Sequence, residues 1–275
     1  MKRLGGRANL QALSVGEKDL ILYEDHRSLV FVLWHALNVV EPPLAEPPTL
    51  VYFDHHDDAK APSAPVRAIF NNLRSAGTDR GVMEAVEWDL SSLDDDWLIA
   101  AMELGVLKDA ICVGADITPN LGQFHTQVTD HTGGVHNIFK IGHLWDALAH
   151  QGPLVDQAQA GQYQPLWTSL GWAPTEYPEP RTPGNPPLIV DFDLDYFSYH
   201  LLGQTLTWPN GMFDKKLGSI SQSTYARGLR ARTFFGWLLS EASFLTVARE
   251  SPYCGGTLGS EQALQNLMDL YRELL

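Results

Sequence analysis

The chain has 275 residues, 44% of them hydrophobic and 19% charged, which fits one α/β domain with a sizeable core. Its 33 acidic and 19 basic residues give a formal net charge of -14, which argues against nucleic acid or an anionic membrane surface as the main partner. Cys112 and Cys254 are too few for a disulfide framework, the basic N-terminus lacks an apolar signal core, and no stretch approaches the ~18 apolar residues of a membrane span, so a soluble, cytoplasmic protein is expected.

Short apolar runs then alternate with helical patterns. "DLILYE" (19–24) reads as a strand, followed by Asp25–His26 and a helix over 27–38. "TLVYFD" (49–54) is a second strand that runs straight into His55, His56, Asp57 and Asp58, ahead of a helix over 64–76. "EAVEW" (84–88) reads as a strand, 95–105 as a helix and "AICVGA" (110–115) as a strand. Residues 116–140 are polar and glycine-containing and read as a long loop carrying His125, His131 and His136. A helix is expected over 142–150, and the proline-rich 173–187 reads as a surface connection. "PLIVDFD" (187–193) is a strand that continues into Leu194, Asp195, Tyr196 and Phe197. A helix over 224–241, a strand "FLTVAR" (244–249) and a helix over 260–274 complete the chain. Continuous apolar strands interleaved with helices imply βαβ units, so 1–275 is expected to form one three-layer α/β/α sandwich around a mostly parallel sheet.

In such sheets, ligands bind beyond the carboxyl ends of the strands. His26, the segment 54–58 and the segment 191–195 all fall at such ends. Alternate residues of an extended chain point the same way, so Asp54, His56 and Asp58 face one side, with His55 and Asp57 turned to the other as support. Four or five carboxylates with one or two imidazoles make a hard, oxygen-rich donor set. It suits Mn²⁺, with Mg²⁺, Zn²⁺ or Fe²⁺ as other divalent candidates. Its negative charge exceeds what one divalent ion offsets, which favours a bridged pair about 3.5–4 Å apart.

These segments together resemble the arginase/deacetylase superfamily, which carries a D-x-H-x-D motif after one strand, a D-x-D motif after a later one and an Asp–His pair upstream. Here they stand as Asp54-x-His56-x-Asp58, Asp193-x-Asp195 and Asp25–His26. "YFDHHDD" and "DFDLDYF" look like a divergent branch of peptide arginases, which convert arginine residues of a ribosomal precursor peptide to ornithine and release urea. The resemblance implies an arginase-like fold and two Mn²⁺. One metal would be held by His26, Asp54, Asp58 and Asp193, the other by Asp54, His56, Asp193 and Asp195. A hydroxide between them would attack the guanidinium carbon, with Asp58 passing a proton to the leaving amine. Asp25 and Asp191 would orient the ligands.

The chain departs from the family pattern in two places. The polar loop that reads free arginine is replaced by "AKAPSAPVRAIFNNL", and the usual shuttle histidine is missing, leaving His131 or His136 to stand in. The carboxylate for the guanidinium is sought among Asp214, Glu250 and Glu261. Alternatives are a deacetylase-like or other C–N amidohydrolase on a small cationic substrate, a metal-keeping binding protein, and a DHH-type Mn²⁺ phosphoesterase. The last matches Asp54–His55–His56 but lacks the H-x-x-x-D-x-D motif expected before it. No P-loop or G-x-G-x-x-G motif suggests a nucleotide cofactor.

Overall fold

Period-two alternation within the apolar runs decides which side chains reach which face of the sheet. In the computed structural model, which describes residues 10–91, 93, 95–115, 120–121, 124–142, 157–171, 180–181, 184–208 and 225–275, these runs form one sheet. Its strands in chain order are β1 (Gln11–Val15), β2 (Lys18–Tyr23), β3 (Thr49–Phe53), β4 (Asp109–Val113), β5 (His125–Thr129), β6 (Val135–Ile141), β7 (Leu188–Asp193) and β10 (Ala242–Ala248). A separate hairpin of β8 (Ser198–Leu201) and β9 (Gln204–Thr207) follows a 3-10 turn at Leu194–Phe197.

The eight strands lie in the order β1-β2-β10-β7-β3-β4-β6-β5. Every pairing from β2 through to β6 is parallel, while β1 and β5 close the two edges antiparallel. Val51, Phe53, Val190 and Phe192 pack against α5 (Gln157–Leu170), α6 (Tyr225–Glu241) and α7 (Thr257–Leu274). Leu50, Tyr52 and Ile189 pack on the other side, against α1 (Ser28–Asn38), α2 (Ala64–Ala76), α3 (Asp79–Trp88) and α4 (Trp97–Leu104). The result is the expected three-layer α/β/α sandwich. Asp191 and Asp193 alternate with Val190 and Phe192, so they fall on the face covered by α1–α4. No helix among the described residues is long and apolar enough to cross a membrane.

Two expectations are corrected. "EAVEW" is the second half of α3, not a strand: Thr78 caps the helix by accepting from the Gly81 amide, and Val82, Ala85 and Val86 are buried at helical spacing. The polar stretch before residue 140 is not all loop, because β5 and β6 pair as a hairpin from His125 to Ile141. Asp130 makes its turn, accepting from the amides of Thr132 and Gly134. Most of the helix expected over 142–150 and most of the connection 173–187 lie outside the described residues.

Directly beneath the motif residues, Phe53 and Phe192 stack with centroids 4.2 Å apart and planes 2° from parallel, and Phe235 meets both edge-on. Both rings are fully buried and immediately precede Asp54 and Asp193. Phe192→Ala is expected to cost about 3–5 kcal/mol of unfolding free energy. Urea denaturation should show this as a lower midpoint at unchanged slope.

Candidate metal centre

Four adjacent strands, β2, β10, β7 and β3, end at the same edge of the sheet, and each delivers part of one buried cluster. His26 follows β2 and is fully buried. Its Nε2 lies 2.7 Å from Asp191 Oδ2, and Asp191 in turn accepts from the Tyr23 hydroxyl at 2.6 Å and from the Thr246 hydroxyl. That anchoring turns Nδ1 toward three carboxylates: 3.3 Å from Asp54 Oδ2, 3.1 Å from Asp58 Oδ2 and 3.4 Å from Asp193 Oδ2.

The segment after β3 divides by alternation. His56 Nδ1 lies 3.2 Å from Asp195 Oδ2 and 3.4 Å from Asp54 Oδ1. Trp97 Nε1, from the first turn of α4, donates to Asp58 Oδ2 at 2.6 Å. Short-range amide donations fix the two motifs, from His56 N to Asp54 Oδ1 and from Asp195 N to Asp193 Oδ1. His55 turns away to the Ser198 carbonyl at 2.9 Å, and Asp57 turns away to Asn120 and Leu121.

Three groups have ligand atoms close enough to share an ion: His26, Asp54 and Asp58; Asp54, His56 and Asp195; and His26, Asp193 and Glu250. Asp54 belongs to two of them. The chemistry of the cluster fits a metal ion, because His26 Nδ1, Asp54 Oδ2 and Asp195 Oδ1 are buried without a hydrogen-bond partner, a costly state that a metal relieves. Six residues expected as ligands are thus brought together. Asp193 sits on the His26 side of the cluster, beside Glu250.

Crowding is evident in the ionisation of these groups. Burial and then the neighbouring carboxylates push Asp58, Asp193 and Glu250 well above the usual carboxylate range. Hydrogen bonds to Asp195 and Asp54 push His56 up to about 11. Burial opposes charge on His26, but Asp191, by charge and hydrogen bond, outweighs it and holds the imidazole well above its ordinary value. Burial also acts to raise Asp54, yet His26 and His56 hold it below the carboxylate range. Without metal, protons do the compensating. Backbone strain marks the same place: Asp58 and Glu250 adopt left-handed conformations, with φ of 47° and 38°.

The remaining candidates separate clearly. Glu250, following β10, is buried and lines a pocket of about 260 Å³ together with Asp58, Asp95, Asn120 and Asp193. No lysine or arginine is among the described lining residues. Glu261 is exposed and pairs with Arg249 at 3.1 Å, away from the cluster. Asp214 lies outside the described residues. His131 and His136 are corrected: the β5–β6 turn carries them to the amino-terminal edge of the sheet, where His131 meets Glu103 and His136 meets the Lys108 carbonyl. A strand of this length separates them from the acidic cluster by roughly 15–20 Å. Asp25 is also corrected, since its partner is Arg27 at 3.5 Å rather than a ligand. Unforeseen were Trp97, Tyr23 and Thr246, which hold Asp58 and Asp191; their only sequence signal was a hydroxyl or indole in an otherwise apolar run.

No protein-family model matches the sequence, and no curated protein matches it.

Raised acids and raised imidazoles have the same consequence for pH. Each stabilises the metal-free fold in its protonated form, fully below its ordinary value of about 4 or 6.5, and that stability is lost as pH rises toward the folded value. Asp54 has the opposite sign, but its window lies below about pH 4. A bound metal would replace the protons, so any rise in melting temperature on adding Mn²⁺ should be larger at pH 8 than at pH 5.5. At a hundredfold excess over the dissociation constant it should reach about 5–10 °C. Calorimetry at both pH values checks this.

Proposed function

We propose that this chain is a dinuclear metal hydrolase of the arginase type that converts an arginine residue of a peptide to ornithine and urea. One observation carries the reading: two ligand groups share Asp54 beside a pocket walled by Asp58, Asp193 and Glu250, with no lysine or arginine among its described lining residues. A shared carboxylate suits a metal pair, and an acidic pocket suits a cationic substrate group. The hard donor set favours Mn²⁺. His55 faces Ser198 instead of the cluster, which weighs against the DHH-type reading.

When bound, the two cations supply Lewis-acid charge and acidify a water for attack on the guanidinium carbon. The protein's own groups do the rest. Glu250 accepts hydrogen bonds from the guanidinium and places its carbon over the cluster. Asp58, with Oδ2 held by Trp97, takes a proton from the attacking water and delivers it to the departing amine nitrogen. The C–N bond breaks to leave urea and the ornithine amine. Asp191 keeps His26 in the one ring orientation that presents Nδ1 to the cluster.

A peptide-borne arginine is favoured over the free amino acid by the chain after Asp58. It runs through "AKAPS" into α2 at Ala64, with no polar loop there to hold an α-amino and α-carboxylate pair. A cytoplasmic precursor peptide is the corresponding partner.

With Mn²⁺, the protein is expected to release urea from an arginine-containing peptide. Asp193→Ala should lose bound metal and activity together, measured by elemental analysis and urea assay. Glu250→Gln, which removes the charge that receives the guanidinium, should lower kcat/KM roughly 10–100-fold. A metal-loaded protein that releases no urea from peptide or free arginine would sink the reading.

A further inference from the structure

Asp57 lies within the ligand segment, yet its side chain serves something else. It is 1% exposed, and its carboxylate accepts three hydrogen bonds from the chain after β4. Asn120 N and Leu121 N reach Oδ2 at 2.9 and 2.6 Å, and Asn120 Nδ2 reaches Oδ1 at 2.8 Å. Asp57 is itself held, because the Tyr52 hydroxyl donates to its carbonyl at 2.6 Å. From the other side, Lys140 Nζ donates to the Leu121 carbonyl at 2.8 Å, and the Leu121 side chain is buried in the core beneath α1–α4. Asn120 is therefore an exposed residue on a fixed two-residue platform.

This anchoring determines the orientation of the amide. A carboxylate only accepts, so the group facing Asp57 must be the Asn120 NH₂, and the Asn120 carbonyl oxygen is left for another donor. Asn120 lines the same pocket as Glu250 and Asp193. An arginine side chain brings five N–H donors, more than one carboxylate can satisfy.

We propose that Asn120 reads the cationic substrate by accepting a hydrogen bond at its side-chain carbonyl, and that Asp57 is the positioning residue that aims it. The proposal rests on the arginase reading for its substrate, but its test separates the two. Affinity is measured by stopped-flow fluorescence anisotropy with a labelled arginine-containing peptide and the Mn²⁺-loaded protein, in the binding phase that precedes turnover. KM and kcat are measured in parallel with Mn²⁺.

Asn120→Ala should weaken peptide binding and raise KM, each about tenfold, with metal content unchanged and kcat altered far less. Asp57→Asn should raise KM similarly, and the double variant should add little to either single change, the sign of one shared interaction. Exchanging the pair, Asp57→Asn together with Asn120→Asp, restores one donor facing one acceptor and should recover binding. Unchanged binding and KM in Asn120→Ala would overturn the proposal while leaving urea release, and so the arginase reading, intact. Weakened binding without urea from the wild type would keep Asn120's role and remove the arginase reading. No peptide binding to the wild type and no urea would remove both.

Discussion

Charge crowding at one edge of the sheet is the constraint on which the rest of this structure depends. Asp54, Asp58, Asp191, Asp193, Asp195 and Glu250 are all buried, with His26 fully enclosed and His56 half-buried beside them. Such a set is stable only when each charge is compensated or neutralised. The surroundings answer that demand atom by atom. Asp191 is consumed by His26, Tyr23 and Thr246, Asp57 by Asn120 and Leu121, and one oxygen of Asp58 by Trp97. What stays uncompensated within the cluster is a small set of atoms, His26 Nδ1, Asp54 Oδ2 and Asp195 Oδ1, which a metal ion would satisfy.

Strand order makes the crowding possible. His26, the 54–58 segment, the 193–195 segment and Glu250 are far apart in the chain, but β2, β10, β7 and β3 are neighbours and β7 lies between β10 and β3. The aromatic stack of Phe53 on Phe192 ties the two motif-bearing strands together on the opposite face. Stability and chemistry are thus divided by the pleat. Odd positions of β3 build the core under α5–α7, while the face under α1–α4 carries polar groups at its carboxyl end. The left-handed backbone at Asp58 and Glu250 belongs to the same arrangement, with the chain bent where carboxylates must aim inward.

Much of this was legible in the sequence because its signals are local. An apolar run broken by alternating aspartates reports a strand, its face and its end at once, as in "PLIVDFD" and "TLVYFDHHDD". Where the signal was ambiguous, the reading failed for identifiable reasons. "EAVEW" has β-rich composition over five residues, but its buried positions repeat at helical spacing once Val82 is included, and the Thr78 cap settles the state. The β5–β6 hairpin is polar on its exposed positions and was hidden by its turn chemistry, which depends on Asp130. His131 and His136 drew attention as histidines, and nothing in their neighbours says at which end of a strand they sit.

The sequence by itself determined the parallel α/β class, the alternation that splits Asp54, His56 and Asp58 from His55 and Asp57, and a donor set suited to hard cations. These follow from periods of two and 3.6 residues and from side-chain chemistry, both of which are properties of short segments. Only the tertiary structure decided that Glu250, not Glu261, joins the cluster, that Asp191 but not Asp25 orients His26, and that Trp97 and Asn120 border the site. Those outcomes depend on which strands adjoin and which helices cover them, and that is set by packing between residues separated by tens to hundreds of positions.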